Sequence, residues 1–392
     1  MKEERIESRL LGIFLLLGLF LPHTSTVFLA INPIMCLVLY LVFRYKNKSE
    51  YRAFGLIKFL LCAVIIISLF ASLAFIRHSS IKYLLSSIYL LLLVFTFPFV
   101  GRSKIPNAFF YVAISYILLS QLIYLFEFHA IERVLELLYP ISENDMNSFE
   151  YMTRNISTSN IFRFRLGGLF HNPNQCSRYV CLITAAFLVD RPYEKLKNVL
   201  PFVFLVVFSV VLTGSRSGLV VISLIIGMFV YGNSSIKKNF KYAMFLGALM
   251  IIIPLFITGS DTFRGFNISQ GFNNSTNVKW TVFMDYLSQD NSPFHLLFGY
   301  ADISTFSPTY TWVFGIFDSE YGNLVYCYGF LGFFLVAAFY FKAIVASPKQ
   351  CRFFYLMLLW MITSTILMSY RMSFLFMLFL SHIVSLKQDS MN

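Results

Sequence analysis

Apolar residues run along this chain in long blocks, broken at short intervals by clusters of Lys and Arg. The blocks fall at about 10–22, 26–43, 56–75, 81–100, 106–126, 173–189, 197–213, 216–231, 240–257, 320–345, 353–369 and 372–386. A helix that crosses a bilayer needs about 20 predominantly apolar residues, and most of the blocks reach or approach that length. The pattern predicts an all-α integral membrane protein, a polytopic bundle of about 12 transmembrane helices. Two intervening segments are long, about 127–172 and 258–319. Residues 1–392 read as a single polytopic domain with both long loops on the same side. The first block follows a charged start and is expected to be a retained signal anchor.

The basic clusters follow the even-numbered blocks. They are Arg44, Lys46, Lys48 and Arg52; Arg102 and Lys104; Arg191, Lys195 and Lys197; Lys237, Lys238 and Lys241; and Lys342, Lys349 and Arg352. The positive-inside rule assigns these turns and both termini to the cytoplasm and predicts few cations opposite. Lysine obeys that rule, since only Lys82 and Lys279 fall on the far side. Arginine does not. Arg77, Arg133, Arg154, Arg163, Arg165, Arg178, Arg216, Arg264 and Arg371 all lie there. Lys is a hydrated point charge, whereas Arg carries a planar fork that grips phosphate or carboxylate with two hydrogen bonds. A far face that prefers Arg to Lys points to anion binding.

Composition strengthens the membrane reading. Hydrophobic residues make up 58% and charged residues 13% of the chain, with a mean hydropathy of +0.70. The formal charge of +12 is concentrated in short loops that meet lipid headgroups, so it does not indicate nucleic-acid binding. The chain has no P-loop, no dinucleotide glycine fingerprint and no paired His/Cys pattern. That argues against an ATP-driven pump with its motor in the same chain, and no metal ion is expected. Cys36, Cys62, Cys176, Cys181, Cys327 and Cys351 lie in or beside apolar blocks without ligand spacing and read as small packing residues.

The loop at 127–172 contains "HAIERVLELLYPI". Ile131, Val134, Leu135 and Leu138 repeat at i, i+3, i+4 and i+7, with Glu132, Arg133 and Glu136 on the other side. This predicts an amphipathic helix lying in the membrane interface. The loop at 258–319 is polar but rich in aromatics, and both loops are expected to fold over the bundle.

Three stretches carry candidate chemistry. "RFRLGGLFHNPNQCSR", residues 163–178, enters the sixth block. Gly167 and Gly168 permit close backbone approach, and Pro173 suits a first helical turn. A helix starting there would offer free N–H groups and a positive dipole end beside Arg163, Arg165, Asn172, Asn174 and Arg178, as a phosphate requires. The competing reading is an interfacial cap with snorkelling arginines. "LTGSRSG", residues 212–218, holds Ser215 and Arg216 in a tight reversal between two blocks; an ordinary helical hairpin is the alternative. "FDSEYGNLVYCYGFLG", residues 317–332, places Asp318 and Glu320 at a helix mouth. They read either as cap and dipole partner or as a pair able to deprotonate a hydroxyl. Arg371, in "MSYRMSF", sits between two very apolar segments, and Arg264 and Lys279 lie in the second long loop. The histidines do not cluster, and His171 stands out only for its arginine neighbours.

Taken together, the three stretches and the layout with two far-side loops resemble the bacterial O-antigen polymerase (Wzy-type), within the O-antigen polymerase and ligase superfamily. The resemblance spans most of the chain and rests on "RLGGLFHNPNQ", "LTGSRSG" and "DSEYGNLVYCYGFLG" in that order. Ligases of the superfamily typically carry a His-Asn pair where this chain has Asp318-Ser319-Glu320-Tyr321, which favours polymerase. The resemblance implies an inner-membrane enzyme of lipopolysaccharide biosynthesis acting at the periplasmic face without a cofactor. Its substrates would be oligosaccharide repeat units on undecaprenyl diphosphate. Membrane lipids, a polysaccharide chain-length regulator and a flippase are the implied partners.

In that frame Arg165, Arg178, Arg216 and Arg371 bind diphosphate, and Arg163, Arg264 and Lys279 guide donor or acceptor. Asn172, Asn174, Ser215 and Tyr321 complete the substrate contacts, Glu320 is the general base and Asp318 orients it. The alternatives are a ligase that passes glycan to lipid A core, or a flippase or other transporter of lipid-linked oligosaccharide. Glu320→Gln in a deletion strain is expected to shorten the surface-polysaccharide ladder, since a general base contributes about 10²–10⁴-fold. Chains of normal length on the gel would remove that role from Glu320.

Overall fold

The computed structural model describes residues 2–21, 55–75, 105–139, 166–170, 173–189, 195–232, 293–300 and 320–345, with isolated positions elsewhere. Among the described residues all regular structure is helical and no strand occurs. In chain order the helices are α1 (Lys2–Phe20), α2 (Gly55–Phe75), α3 (Asn107–Leu125), α4 (His129–Leu138), α5 (Pro173–Val189), α6 (Leu196–Thr213), α7 (Arg216–Gly232), α8 (Pro293–Phe298) and α9 (Glu320–Val345), and a 3-10 turn at Gly168–Phe170 precedes α5. Most of these helices start and stop within a residue or so of the apolar block that predicts them. α1 is the exception. It begins at Lys2, because the charged segment before the apolar block is built from Lys, Glu and Arg, all good helix formers.

By length and composition, two described helical stretches are able to cross a membrane: Asn107–Leu125, of 19 residues, and Tyr321–Lys342, of 22. The chain packs as two compact units. The first joins residues 1–24 to 105–275 and holds α1 and α3–α7; the second joins 25–104 to 276–392 and holds α2, α8 and α9.

In the first unit α5 is the centre. Every residue from Cys176 to Val189 is buried, and α3, α6 and α7 all pack against it. A helix enclosed on all sides must be apolar on all sides, which explains "CLITAAFLV". At its far end Phe187 stacks on Phe202 at 4.0 Å and meets Phe110 edge-on at 5.6 Å. Arg191 closes that end. It donates to the carbonyl of Phe187 at 2.8 Å and to the Asn107 side chain, and its guanidinium lies 4.2 Å from the Phe187 ring centroid. The charge that signals a cytoplasmic turn in the sequence thus also ties the end of α5 to the start of α3.

α4 follows α3 through a reversal in which Glu127 adopts φ 53. Its polarity is inverted relative to a helix on a soluble domain. Ile131, Val134 and Leu138 are about half exposed and Leu137 is 81% exposed, whereas Leu135 is buried and Glu132 and Glu136 are half-buried. The Tyr139 hydroxyl pins the end of the helix by donating to the carbonyl of Phe20 at 2.7 Å. An outward apolar stripe is the arrangement expected of a helix that rests on lipid.

The second unit turns on a break in α9. The sequence predicts an uninterrupted helix over 320–345, but Gly329 adopts φ 65 and ψ −178 and divides it. Near the break Tyr326 accepts at its carbonyl from the Tyr300 amide at 2.9 Å. α8 ends against this point with Gly299 at φ 75, and the Ser68 hydroxyl of α2 donates to the carbonyl of Phe298. Tyr300 stacks on His295 at 4.2 Å and on Tyr326 at 5.1 Å, and Tyr326 meets Tyr286 at 5.3 Å. Burial lowers the His295 imidazole below its usual range and raises the Tyr286 and Tyr300 hydroxyls above theirs, so this stack is neutral near pH 7.

A Cβ at position 329 would run into the backbone of Leu297. Gly329→Ala is therefore expected to lower the thermal unfolding midpoint of the detergent-purified chain, with backbone strain alone costing about 1–3 kcal/mol. Gly227→Ala meets nothing within 4 Å and is expected to leave the midpoint unchanged or raise it slightly.

Candidate functional site

Two helix mouths meet at one end of the first unit. The approach to α5 is a buried turn, Leu166–Phe170, whose short 3-10 segment satisfies little of its own backbone beyond the Phe170 amide, which donates to the Gly167 carbonyl at 3.1 Å. α3 supplies the missing partners. The Leu169 amide donates to the Ser120 hydroxyl at 3.1 Å, and the Leu166 carbonyl accepts from Gln121 Nε2 at 3.0 Å. Gln121 also donates to the carbonyl of Ser209 at 3.1 Å and accepts from the Ser209 hydroxyl at 2.7 Å. The Leu166 amide reaches the carbonyl of Leu212 at 2.9 Å. Gly168 is required here: it adopts φ 54, and a Cβ would collide with the Ser120 hydroxyl.

Held in this way, α5 starts at Pro173, a residue whose fixed φ and missing N–H suit a first helical position. Asn174 lies in the first turn and Arg178 one turn later on the same face. Arg178 is only 6% exposed. The Ser177 hydroxyl donates to the carbonyl of Asn174 at 2.9 Å.

The second mouth comes from the reversal between α6 and α7. Gly214 closes α6 in the left-handed conformation (φ 57, ψ 18), with its amide 3.0 Å from the carbonyl of Val211. The Thr213 hydroxyl accepts from the Ser215 amide at 3.1 Å. The Ser215 hydroxyl accepts from the Gly218 amide at 3.3 Å and so caps α7. That explains the residue types in "TGSRSG", and it commits the Ser215 hydroxyl to the hairpin's own backbone. Arg216 is then the first residue of α7.

The mouths touch at Gly218. A Cβ there would stand 2.6 Å from Cβ and 2.9 Å from Oγ of Ser177, and the Cys181 thiol lies 3.7 Å from the Gly218 carbonyl. α5 and α7 therefore begin side by side, both with their amide ends at this end of the unit. Asn174, Ser177, Arg178, Ser215 and the backbone of Arg216 are gathered there. Two positive dipole ends and a buried guanidinium are features that an oxyanion binds.

Other candidates from the sequence are distributed differently. Glu320 begins α9 in the second unit, and Tyr321 follows it with its ring edge-on to Phe333 at 5.7 Å. Arg163, Arg165, His171, Asn172, Arg264, Lys279, Asp318 and Arg371 lie outside the described residues. Cys62, Cys176, Cys181 and Cys327 are buried among packing side chains, and Cys36 and Cys351 are outside the described set. Sequence reasoning missed Ser120, Gln121 and Ser209. Their signal was a Ser-Gln pair in the middle of the apolar run 106–126 and a lone Ser in the run 197–213.

No family model, curated protein or solved structure matches the chain.

Gln121→Leu keeps the volume and removes the amide, so the Leu166 carbonyl and Ser209 lose their partner inside the bundle. The expected destabilisation is about 1–3 kcal/mol, measured as a lower unfolding midpoint in detergent. Interhelical hydrogen bonds between transmembrane helices average only about 0.6 kcal/mol. A loss above that figure identifies the turn carbonyl, rather than the α3–α6 contact, as the group that suffers.

Proposed function

We propose that the chain is a polytopic inner-membrane glycosyltransferase that moves a growing glycan from undecaprenyl diphosphate onto a lipid-linked repeat unit at the periplasmic face. In this reading about 12 helices span the bilayer, both termini are cytoplasmic, and segments 127–172 and 258–319 are periplasmic. The observation that carries the reading is the contact between the α5 and α7 mouths, Ser177 against Gly218, with Arg178 buried beside it. It joins two of the three stretches that resemble the Wzy-type polymerases. Large apolar side chains that face outward, such as Leu119 at 56%, Phe204 at 69% and Phe334 at 62% exposure, support a lipid-facing exterior.

The chemistry needs an anion site of this kind. The acceptor hydroxyl oxygen attacks the anomeric carbon, and the bond from that carbon to the diphosphate oxygen breaks. The electron pair leaves with the diphosphate, so negative charge grows on the leaving group. Preorganised donors that meet that charge are each worth about 3–4 kcal/mol. Helix amides and Arg178 and Arg216 take this role, and the proton of the attacking hydroxyl passes to a general base. The glycosyl diphosphate bond supplies the driving force, so no nucleotide is consumed.

Deleting the gene is expected to leave lipid A core bearing a single repeat unit on the surface-polysaccharide gel. Bare core with accumulated lipid-linked polymer would identify a ligase instead. Repeats that cross vesicle membranes without being extended by the purified chain would identify a flippase. Arg216→Lys keeps the charge and loses the fork, and is expected to slow extension of purified lipid-linked repeats about 10²-fold. A wild-type rate in that variant argues against a two-bond grip on diphosphate.

A further inference from the structure

α9 opens with Glu320-Tyr321-Gly322-Asn323, and the last of these residues stands out chemically. Asn323 is 3% exposed, and among the described residues its side-chain oxygen Oδ1 finds no hydrogen-bond donor. A buried amide oxygen in this state costs free energy that an apolar residue of similar size would avoid. Leu324 and Val325 beside it are buried apolar residues, so an aliphatic side chain would suit the position well. The oxygen is a lone acceptor. What it lacks is an O–H or N–H from outside the fold.

Its place in the helix says which donor that is. Asn323 follows Glu320 by three residues, so the two positions share one face of the first turn, with Cβ atoms about 5–6 Å apart. Only one turn of helix separates Asn323 from the mouth of α9. A sugar ring spans about that distance, so a single sugar can address both positions. A phosphate has no proton to donate at neutral pH and does not satisfy an amide oxygen. The oxygen, unlike the amide's NH2, is therefore selective for hydroxyls over anions.

We infer that Asn323 is a glycan-binding residue, its amide oxygen accepting a hydrogen bond from a sugar hydroxyl next to the one presented at Glu320. The inference rests on the reading of the α9 mouth as a place that handles glycan, and it adds a recognition element that separates sugar-bearing lipid from bare lipid carrier.

The test compares two probes on the full-length purified chain in lipid nanodiscs. One is undecaprenyl-diphosphate-linked repeat unit extracted from the deletion strain; the other is undecaprenyl diphosphate without sugar. The wild type is expected to bind the sugar-bearing lipid more tightly. Asn323→Leu should reduce that preference about three- to tenfold, the range for loss of one neutral hydrogen bond, while leaving affinity for bare undecaprenyl diphosphate as it was. Asn323→Asp retains acceptor oxygens at the same place and should keep most of the preference. Thermal unfolding midpoints of all three proteins confirm that folded chain is compared with folded chain. A wild type without sugar preference, or an Asn323→Leu variant that retains it in full, overturns the assignment in favour of a water-held amide. Loss of the preference in Asn323→Asp as severe as in Asn323→Leu also overturns it, since acceptance would then not be the decisive property. Extension of the repeat unit is scored separately. If the wild type binds sugar selectively but never extends it, the polymerase reading fails and the Asn323 assignment survives.

Discussion

The carboxamide of Gln121 has no exposed surface, and an amide so placed is tolerated only when its hydrogen-bonding atoms are matched. Here they are, by a turn carbonyl, a helix carbonyl and a hydroxyl from two other parts of the chain. The dependence also runs the other way. Leu166–Phe170 is non-α-helical backbone enclosed within a bundle, and such a segment persists in an apolar medium only if a neighbour satisfies its polar groups. α3 does so with two consecutive residues, Ser120 and Gln121. The start of α5, and therefore the placement of Asn174 and Arg178, follows from that match.

Satisfaction of backbone groups also explains the second mouth. The α6–α7 reversal spends its small polar side chains on itself: Thr213 on the Ser215 amide, and Ser215 on the Gly218 amide. Arg216 then stands at the first position of α7. At α5 Ser177 likewise bonds within its own turn, and the buried Arg178 follows it.

Helix positions were legible because apolar block length and basic punctuation act locally. Pro173, Gly214 and Ser215 set helix ends through their own backbone preferences, so the bounds of α5, α6 and α7 follow from a few residues. The break at Gly329 was not legible, since a glycine in an apolar run is compatible with a continuous helix. What decides it is α8, which arrives from elsewhere in the chain and occupies the space a continuous turn would need. The inward-facing Gln121 was visible only as a polar residue in the wrong place, because its partners lie 45 and 88 residues away. The arginine-rich face was read from charge placement alone. Asn323 lay inside a recognised motif, yet its orphaned oxygen is a property of packing that no spacing encodes.

α5 and α7 run in the same direction and touch at their beginnings, with α6 packed against both in the opposite sense. Two macrodipoles thus present like poles side by side, a mildly repulsive arrangement that the single carbonyl end of α6, lying at the same place, offsets only in part. A bound oxyanion would turn that repulsion into attraction, and only the folded chain can offer it the paired poles. Ligand occupancy and cohesion of the bundle would then be thermodynamically inseparable, and the resting protein would be least stable when its pole pair faces water alone.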